Sequence, residues 1–276
     1  MGFKKKLTIL IDSPGQLCNQ IWSYAPFIAR SKRDGSNLII CGFQQYKDLF
    51  PRLLEESHVS FCPPSLNLLA DLANKNLFYK IIEIVGLSRA HSLALVKSWD
   101  SENAAIDSID KKYIREIFEL PYFKRKDDVK RVGIHIRHGD YERWRDGRYF
   151  FTFETMALKA LEAAKKIFPH TAVEFAVASN VPAHQMSRHI SNLKYNPKHS
   201  VTQDLGLLAS CDLIVGPPST FSMWASFYGS VPLVYLLGAD QVMPSTLPPY
   251  IVAQNKFSDG SRMRSSMHGD FNIRTD

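Results

Sequence analysis

Short apolar runs bounded by polar or turn-forming residues alternate with stretches whose apolar positions recur at helical spacing, and the alternation continues along most of the chain. Leu7–Ile11 is apolar between a lysine run and Asp12, and Pro14-Gly15 follows, which predicts a strand leading into a loop. Ile21–Ser31 then predicts a helix and Asn37–Cys41 the next strand, while Gln44–Leu54 and Leu66–Ile84 carry apolar residues at helical spacing. Lys111–Leu120 predicts one more helix. The mixed-charge stretch from Pro121 to Asp128 after it reads as a hinge, which divides the chain into lobes of residues 1–126 and 127–276.

The back half repeats this grammar. Val132–Ile136 predicts a strand and Gly139–Tyr149 a charged, aromatic loop. In Phe153–Phe168, Ala157, Ala160, Leu161 and Ala164 fall at i, i+3, i+4 and i+7, the mark of one buried helix face. Val173–Ala178 predicts a strand, Asp204–Cys211 a helix, Leu213–Val215 a strand, Thr220–Tyr228 a helix and Val231–Leu237 a strand. Repeated strand–helix alternation in both halves implies an α/β architecture of two Rossmann-like lobes facing a cleft. The polar tail after about Asn255 is expected to be mobile.

Composition narrows the functional classes. Of 276 residues, 45% are hydrophobic and 22% charged, the balance of a folded globular chain. The net charge of +7 favours anionic partners such as phosphates and nucleotides. No aromatic RNA-binding strand or zinc finger supports nucleic acid as that partner. The uncharged stretch from Leu213 to Ala239 has the length of a membrane span, but Pro217, Pro218 and Pro232 interrupt it, so it reads as a buried strand–helix–strand unit. The chain is expected to be cytoplasmic with no transmembrane segment, contacting a membrane at most peripherally. Cys18, Cys41, Cys62 and Cys211 lie far apart with no CxxC pair, which excludes a zinc ribbon and a disulfide scaffold and suits a reducing compartment.

Three segments carry candidate chemistry. Gly15-Gln-Leu-Cys-Asn-Gln20 joins the first strand to the first helix, where a glycine lets backbone amides approach an anion; a βα turn with Asn19 as helix cap fits the same residues. In Gly133-Ile-His-Ile-Arg-His-Gly-Asp-Tyr141 a strand ends with His135 and Arg137 on one side, since side chains two apart share a face. A guanidinium there suits a diphosphate, because its fork bonds two oxygens and keeps its charge. Pro217-Pro218-Ser219-Thr220-Phe221-Ser222 places hydroxyls at a helix start, where they cap the helix or bind phosphate oxygens. His138-Gly-Asp140 with a distal His184, His189 or His199 also has the residue types of a 2-His-1-carboxylate iron site, although that site usually sits in a double-stranded β-helix. No two aspartates are separated by one residue, so the DxD motif that holds Mn²⁺ or Mg²⁺ on nucleotide sugars is missing.

Taken in order, these segments resemble the fucosyltransferase superfamily with the two-lobed GT-B fold, most of all bacterial and viral alpha-1,2-fucosyltransferase-like proteins. Gly15 to Ala25 is similar to that family's G-x-x-x-N-Q segment and His135-Ile-Arg-His-Gly-Asp-Tyr141 to its H-x-R-R-G-D-Y motif. Asp204 to Ile214, then Ser219-Thr-Phe-Ser-Met-Trp224, is similar to its third region, and Val177-Ala-Ser-Asn180 adds to the likeness. The resemblance implies an inverting glycosyltransferase that moves fucose from GDP-fucose to a glycan hydroxyl without a metal or other cofactor. Arg137 would grip the β-phosphate with the Ser219, Thr220 and Ser222 hydroxyls, beside Phe221. His135 and Asp204 would contact the guanine side, and Asn19 and the Gly15 loop would approach from the N-terminal lobe. Asp140, Glu142 and Asp146 are the carboxylates from which a general base would come, with Asp140 the first choice. Trp144 and Tyr149 suit either sugar stacking or core packing. Two positions depart from the family: His138 replaces a second arginine, which would either weaken the donor contact or make it pH-dependent near neutrality, and Pro218 stands where asparagine is frequent. A different nucleotide sugar and a catalytically inactive sugar-nucleotide-binding module fit the same motifs.

Overall fold

The computed structural model describes residues 5–62, 91–96, 98, 106, 108–124 and 126–252. The predicted helix at Leu66–Ile84 and the tail after Asn255 lie outside these residues. The chain divides into two compact units, Met1–Glu119 and Leu120–Asp276.

In the first unit, β1 (Lys5–Leu10), β2 (Asn37–Ile40), β3 (Val59–Phe61) and β4 (His91–Val96) form a parallel sheet in the order β3-β2-β1-β4. Helix α1 (Leu17–Asp34) joins β1 to β2, a short α2 (Pro51–Leu54) precedes β3, and α3 (Lys111–Ile117) closes the unit. The predicted helix Gln44–Leu54 is two short pieces, a 3-10 turn at Lys47–Leu49 and α2, because Pro51 fits the first position of a helix and not its interior. Helix α1 extends further than its amphipathic part suggests. Apart from partly exposed Asn19, its first two turns are buried, Trp22, Tyr24 and Ala25 included, so no polar face marks where it begins. It ends at Gly35 in a left-handed cap, with Lys32 and Arg33 in the last turn beside the negative end of the helix dipole.

The second unit holds β5 (Val129–Ile136), α4 (Phe153–Ile167), β6 (Ala172–Ser179), β7 (Leu193–Lys194), α5 (Val201–Ala209), β8 (Leu213–Gly216), α6 (Thr220–Gly229) and β9 (Leu233–Tyr235). Its strands are all parallel in the order β7-β6-β5-β8-β9. The uncharged stretch is β8, α6 and β9 as expected, and no helix among the described residues is long and apolar enough to cross a membrane. In α4 the buried face is Met156, Ala157, Ala160, Ala163 and Ala164; Leu161, expected on it, is exposed, since the alanines let the helix sit close to the sheet along a neighbouring stripe.

The residues from Leu120 onward are tied into this second unit. The Leu120 amide donates to the Tyr228 hydroxyl at 3.0 Å and the Phe123 amide to Ser210 Oγ at 3.2 Å. Buried Arg131 donates to the Phe123 and Lys124 carbonyls at 3.3 and 3.0 Å and pairs with Glu174 at 2.6 Å. Lys194 adds a second bond to Glu174 at 2.8 Å. Burial raises the Glu174 pKa, but the bonds from Lys194 and Arg131 outweigh it and hold the carboxyl below its ordinary range. Gly206 completes the contact, because a Cβ there would overlap the Pro121 carbonyl.

Candidate functional site

In the second unit the strand order runs outward from β5 in one direction through β6 and β7 and in the other through β8 and β9. The order therefore reverses between β5 and β8, and the crevice outside the C-terminal ends of those two strands is where open parallel sheets bind ligands. Arg137 directly follows β5 and Ser219 lies just after β8, so the two strongest sequence candidates flank that point.

The two loops are fastened to each other. Tyr141, in the 3-10 turn Gly139–Glu142, donates its hydroxyl to the Pro218 carbonyl at 2.5 Å. Burial pushes the Tyr141 pKa upward, which keeps that hydroxyl a donor. Arg137 lies 5.7 Å from the Tyr141 ring and pairs with Asp140 at 2.9 Å. His135 is buried and stacks on Phe221 at 5.0 Å between ring centroids. Its Nδ1 has no hydrogen-bond partner among the described residues, and burial, with the Arg137 charge, lowers its pKa to about 3, so the ring is neutral at physiological pH.

Ser219 caps α6, its hydroxyl accepting from the Phe221 amide at 3.2 Å. The first turn of α6 carries no acidic residue, so no carboxylate of that turn offsets the positive end of the helix dipole. Thr220 and Phe221 are partly exposed at this end. Ser222 is different: it is fully buried and donates to the Ser219 carbonyl at 3.1 Å, so its hydroxyl shapes the helix start rather than facing solvent.

Asp204 lies in the first turn of α5, whose capping box at Ser200 and Gln203 fixes where the helix begins. Every βα connection of a parallel sheet leaves from the same edge, which puts this turn on the edge that carries Arg137 and Ser219. Asp204 contacts His199, whose Nδ1 is 3.2 Å from Oδ1, and His199 in turn lies 5.4 Å from the Phe123 ring. Burial raises the Asp204 pKa from 3.8 to about 6 against the opposing pull of His199.

His138 does not take the place of an arginine. Its Nε2 lies 2.8 Å from the Phe151 carbonyl, and its ring packs between Phe150 and Phe153 at 4.5 and 4.8 Å. Asn180, after β6, holds its backbone on both sides, accepting from the amide at 2.8 Å and donating to the carbonyl at 2.9 Å. His138 thus forms a structural clamp on the loop after Arg137. His138 is engaged with the Phe151 carbonyl and Asp140 with Arg137. No group of three or more His, Cys, Asp or Glu that could hold a metal is found among the described residues. Tyr149 is buried, whereas Trp144 is partly exposed and stacks on Tyr141 at 4.6 Å. Glu142 and Asp146 are exposed, and Arg145 and Asp146 both adopt left-handed backbone at φ 51° and 58°.

The first unit shows the same topological feature between β1 and β4. Asp12 Oδ1, after β1, accepts from the Ser98 amide and hydroxyl, both at 2.8 Å, on the chain following β4. Gly15 has φ +52°, and a Cβ there would collide with the Asn19 side chain. Asn19 is not the helix cap: that position belongs to Gln16, and Asn19 lies in the first turn with its amide over Gly15. Gln20 Nε2 closes the loop by donating to the Gly15 carbonyl and to Ser13 Oγ, each at 3.1 Å. Tyr141 and Asn180 stand within the sequence motifs, but their bonding roles do not show there; Asp12 and Ser98 are not among the sequence candidates, although Asp12 is the first polar residue beyond an apolar strand.

No protein-family model matches this sequence, and no curated protein is significantly similar to it. Solved structures are. The NodZ alpha-1,6-fucosyltransferase co-crystallised with GDP aligns at TM-score 0.51 and 18% identity over 85% of this chain and 96% of that one. The same enzyme soaked with GDP-fucose gives 0.51 and 19% over 91% and 100%. A selenomethionine form of the fucosyltransferase NodZ from Bradyrhizobium gives 0.50 and 19% over 91% and 100%. The shared feature is the fold. The α/β fold with parallel sheets expected from the sequence is thus the GT-B-type fold of these structures.

Proposed function

We propose that the chain is an inverting glycosyltransferase that transfers fucose from GDP-fucose to a hydroxyl of a glycan acceptor. The observation that carries this reading is the pairing of Arg137 with the α6 N-terminus at the β5/β8 reversal point, held there by the Tyr141–Pro218 bond. A fixed guanidinium and a helix dipole aimed at one crevice suit a diphosphate. The neighbours that share the fold were solved with GDP and GDP-fucose, which supports that donor.

In this reading the acceptor hydroxyl attacks the anomeric carbon as the diphosphate leaves with the bonding electrons. Negative charge grows on the leaving phosphate, and Arg137 with the Ser219–Thr220 end of α6 stabilises it more in the transition state than in the ground state. These groups carry the charge-neutralising role that a divalent cation would otherwise fill. Neutral His135, stacked on Phe221, lines the nucleotide side, and ionised Asp204 accepts from N–H groups of the base. Asp140 orients Arg137 through their ion pair and is a positioning residue rather than the base. Ser222 contributes by fixing the helix start. The acceptor linkage, alpha-1,2 by sequence resemblance and alpha-1,6 in NodZ, is set by acceptor contacts and not by the fold.

The test is incubation with GDP-fucose and a panel of glycans, following GDP release and the configuration of the product by NMR. GDP release that requires an acceptor, with an inverted anomeric centre, supports the reading. A retained configuration, or turnover with UDP-sugars only, overturns it. Arg137→Ala should lower kcat by about 10²–10³-fold.

A further inference from the structure

Cys41 and Cys62 leave neighbouring parallel strands of the first unit at the same level, one position beyond the register pair Ile40–Phe61. The Cys41 amide donates to the Leu10 carbonyl and the Cys62 amide to the Ile40 carbonyl, both at 3.0 Å, so the sheet itself fixes the two backbones. Their sulfurs are 2.8 Å apart. That is well inside non-bonded contact and close to the length of a disulfide, about 2.05 Å, so the two sulfurs are within reach of a covalent bond. Cys41 is 2% exposed and Cys62 9%, in a cluster with Leu7 and Ile9 that Ile11, Ile39 and Leu95 extend. An apolar wall of this kind leaves each sulfur little to interact with except the other. Behind Cys41, the space a Gly42 side chain would need is filled by the Tyr24 hydroxyl and the Asp12 carbonyl. Beside Cys62, its carbonyl accepts from Gln44 Nε2.

The two sulfurs are not equivalent. The bond to Cys62, burial and the Asp12 charge push the Cys41 thiol pKa up, while the same bond draws Cys62 below its ordinary value against its burial. Cys62 is also the more exposed of the two, which makes it the sulfur an external reagent meets first.

We propose that Cys41 and Cys62 form a redox-active dithiol that closes to an intrachain disulfide by exchange with a small-molecule disulfide. The Cys62 thiolate attacks one sulfur of the reagent, forming a mixed disulfide and expelling one thiolate. Cys41 then gives up its proton and attacks Cys62 Sγ, forming the internal bond and expelling the second thiolate. The protein loses two electrons and two protons, and the reagent is reduced to two thiols. This inference is independent of the transferase reading. It also revises what cysteine spacing suggested: positions 21 apart in sequence look unrelated until β2 and β3 pair.

The full chain is equilibrated in oxidised or reduced glutathione, quenched in acid, denatured, alkylated and mapped by mass spectrometry. After oxidation, two of the four cysteines should escape alkylation, with the Cys41 and Cys62 peptides linked. The bridge should raise the thermal midpoint by roughly 5 °C, and reduced glutathione should reverse both changes. Four alkylated cysteines after oxidation, or a bridge to Cys18 or Cys211, would overturn the proposal. In Cys41→Ser, oxidation should leave one glutathione on Cys62; in Cys62→Ser, Cys41 should stay unmodified. The reverse pattern would refute the assigned order of attack, and the wild-type mapping decides the bridge even if a variant fails to fold.

Discussion

Asp204 and His138 show how one substituted or buried side chain changes what a motif does. Asp204 binds its proton near pH 6 in the folded chain against an ordinary 3.8. Its contribution to folding is therefore fully present below about pH 4 and is lost as the pH rises to about 6. In the proposed nucleotide-binding role the sign is opposite, because the ionised carboxylate accepts from the N–H groups of a base more strongly than the neutral acid does. GDP affinity should fall as the pH drops below 6, and Asp204→Asn should bind weakly with a flat profile between pH 5 and 8; a wild-type profile flat over that range would contradict the assignment. His138, by contrast, clamps a loop through Phe151, Phe150 and Phe153. His138→Ala should cost about 1–3 kcal/mol in urea denaturation, from a lost buried hydrogen bond and lost packing. A variant with unchanged stability but much weaker GDP binding would return His138 to the role of the missing arginine.

At the scale of elements, the stretch from Pro121 to Asp128 is, among its described residues, mostly exposed in its side chains but anchored through its backbone: buried Arg131 draws the Phe123 and Lys124 carbonyls onto β5, and Glu174 with Lys194 neutralises the guanidinium. Glu174→Ala leaves Arg131 buried without its carboxylate and should destabilise the chain by about 3–5 kcal/mol, measured by urea denaturation. A loss below 1 kcal/mol would mean that water reaches Arg131. Apart from β7, the strands and helices of the second unit were legible because each is a short apolar run or an amphipathic stretch between turn residues. The strands β3, β4 and β7 were not, since Val59–Phe61 and Leu193–Lys194 are too short for alternation to show and His91–Val96 follows no turn signal. Leu161 was misplaced for a related reason: spacing fixes a stripe, but alanine at 157, 160 and 164 lets packing choose which side of the stripe faces the sheet.

For the whole molecule, two sheets with outward-running strand order account for where the chemistry sits. The reversal between β5 and β8 puts Arg137 and the start of α6 on one edge, and the reversal between β1 and β4 puts the Gly15 loop beside Asp12 and Ser98. The residues with side-chain chemistry at strand ends were readable from the sequence, as cations and hydroxyls stand out after apolar runs. Their fasteners, Tyr141 on Pro218 and Asn180 on the His138 backbone, were not, because both bonds join segments distant in sequence. Topology predicts that loss of the Tyr141 hydroxyl loosens the site without dismantling the sheet. Tyr141→Phe should raise the GDP dissociation constant about 5–10-fold, the loss of one hydrogen bond, while thermal stability changes by only a few degrees. Unaltered GDP affinity in that variant would uncouple the two loops.

The central claim is that a nucleoside diphosphate binds at the β5/β8 reversal point through Arg137. Calorimetric titration of GDP and UDP, each with and without EDTA, into wild type and Arg137→Ala tests it directly. The predicted result is GDP binding that ignores EDTA, exceeds UDP binding and is lost in the variant while its fold is retained. GDP binding that survives in Arg137→Ala, or no binding of either nucleotide to wild type, would contradict the account.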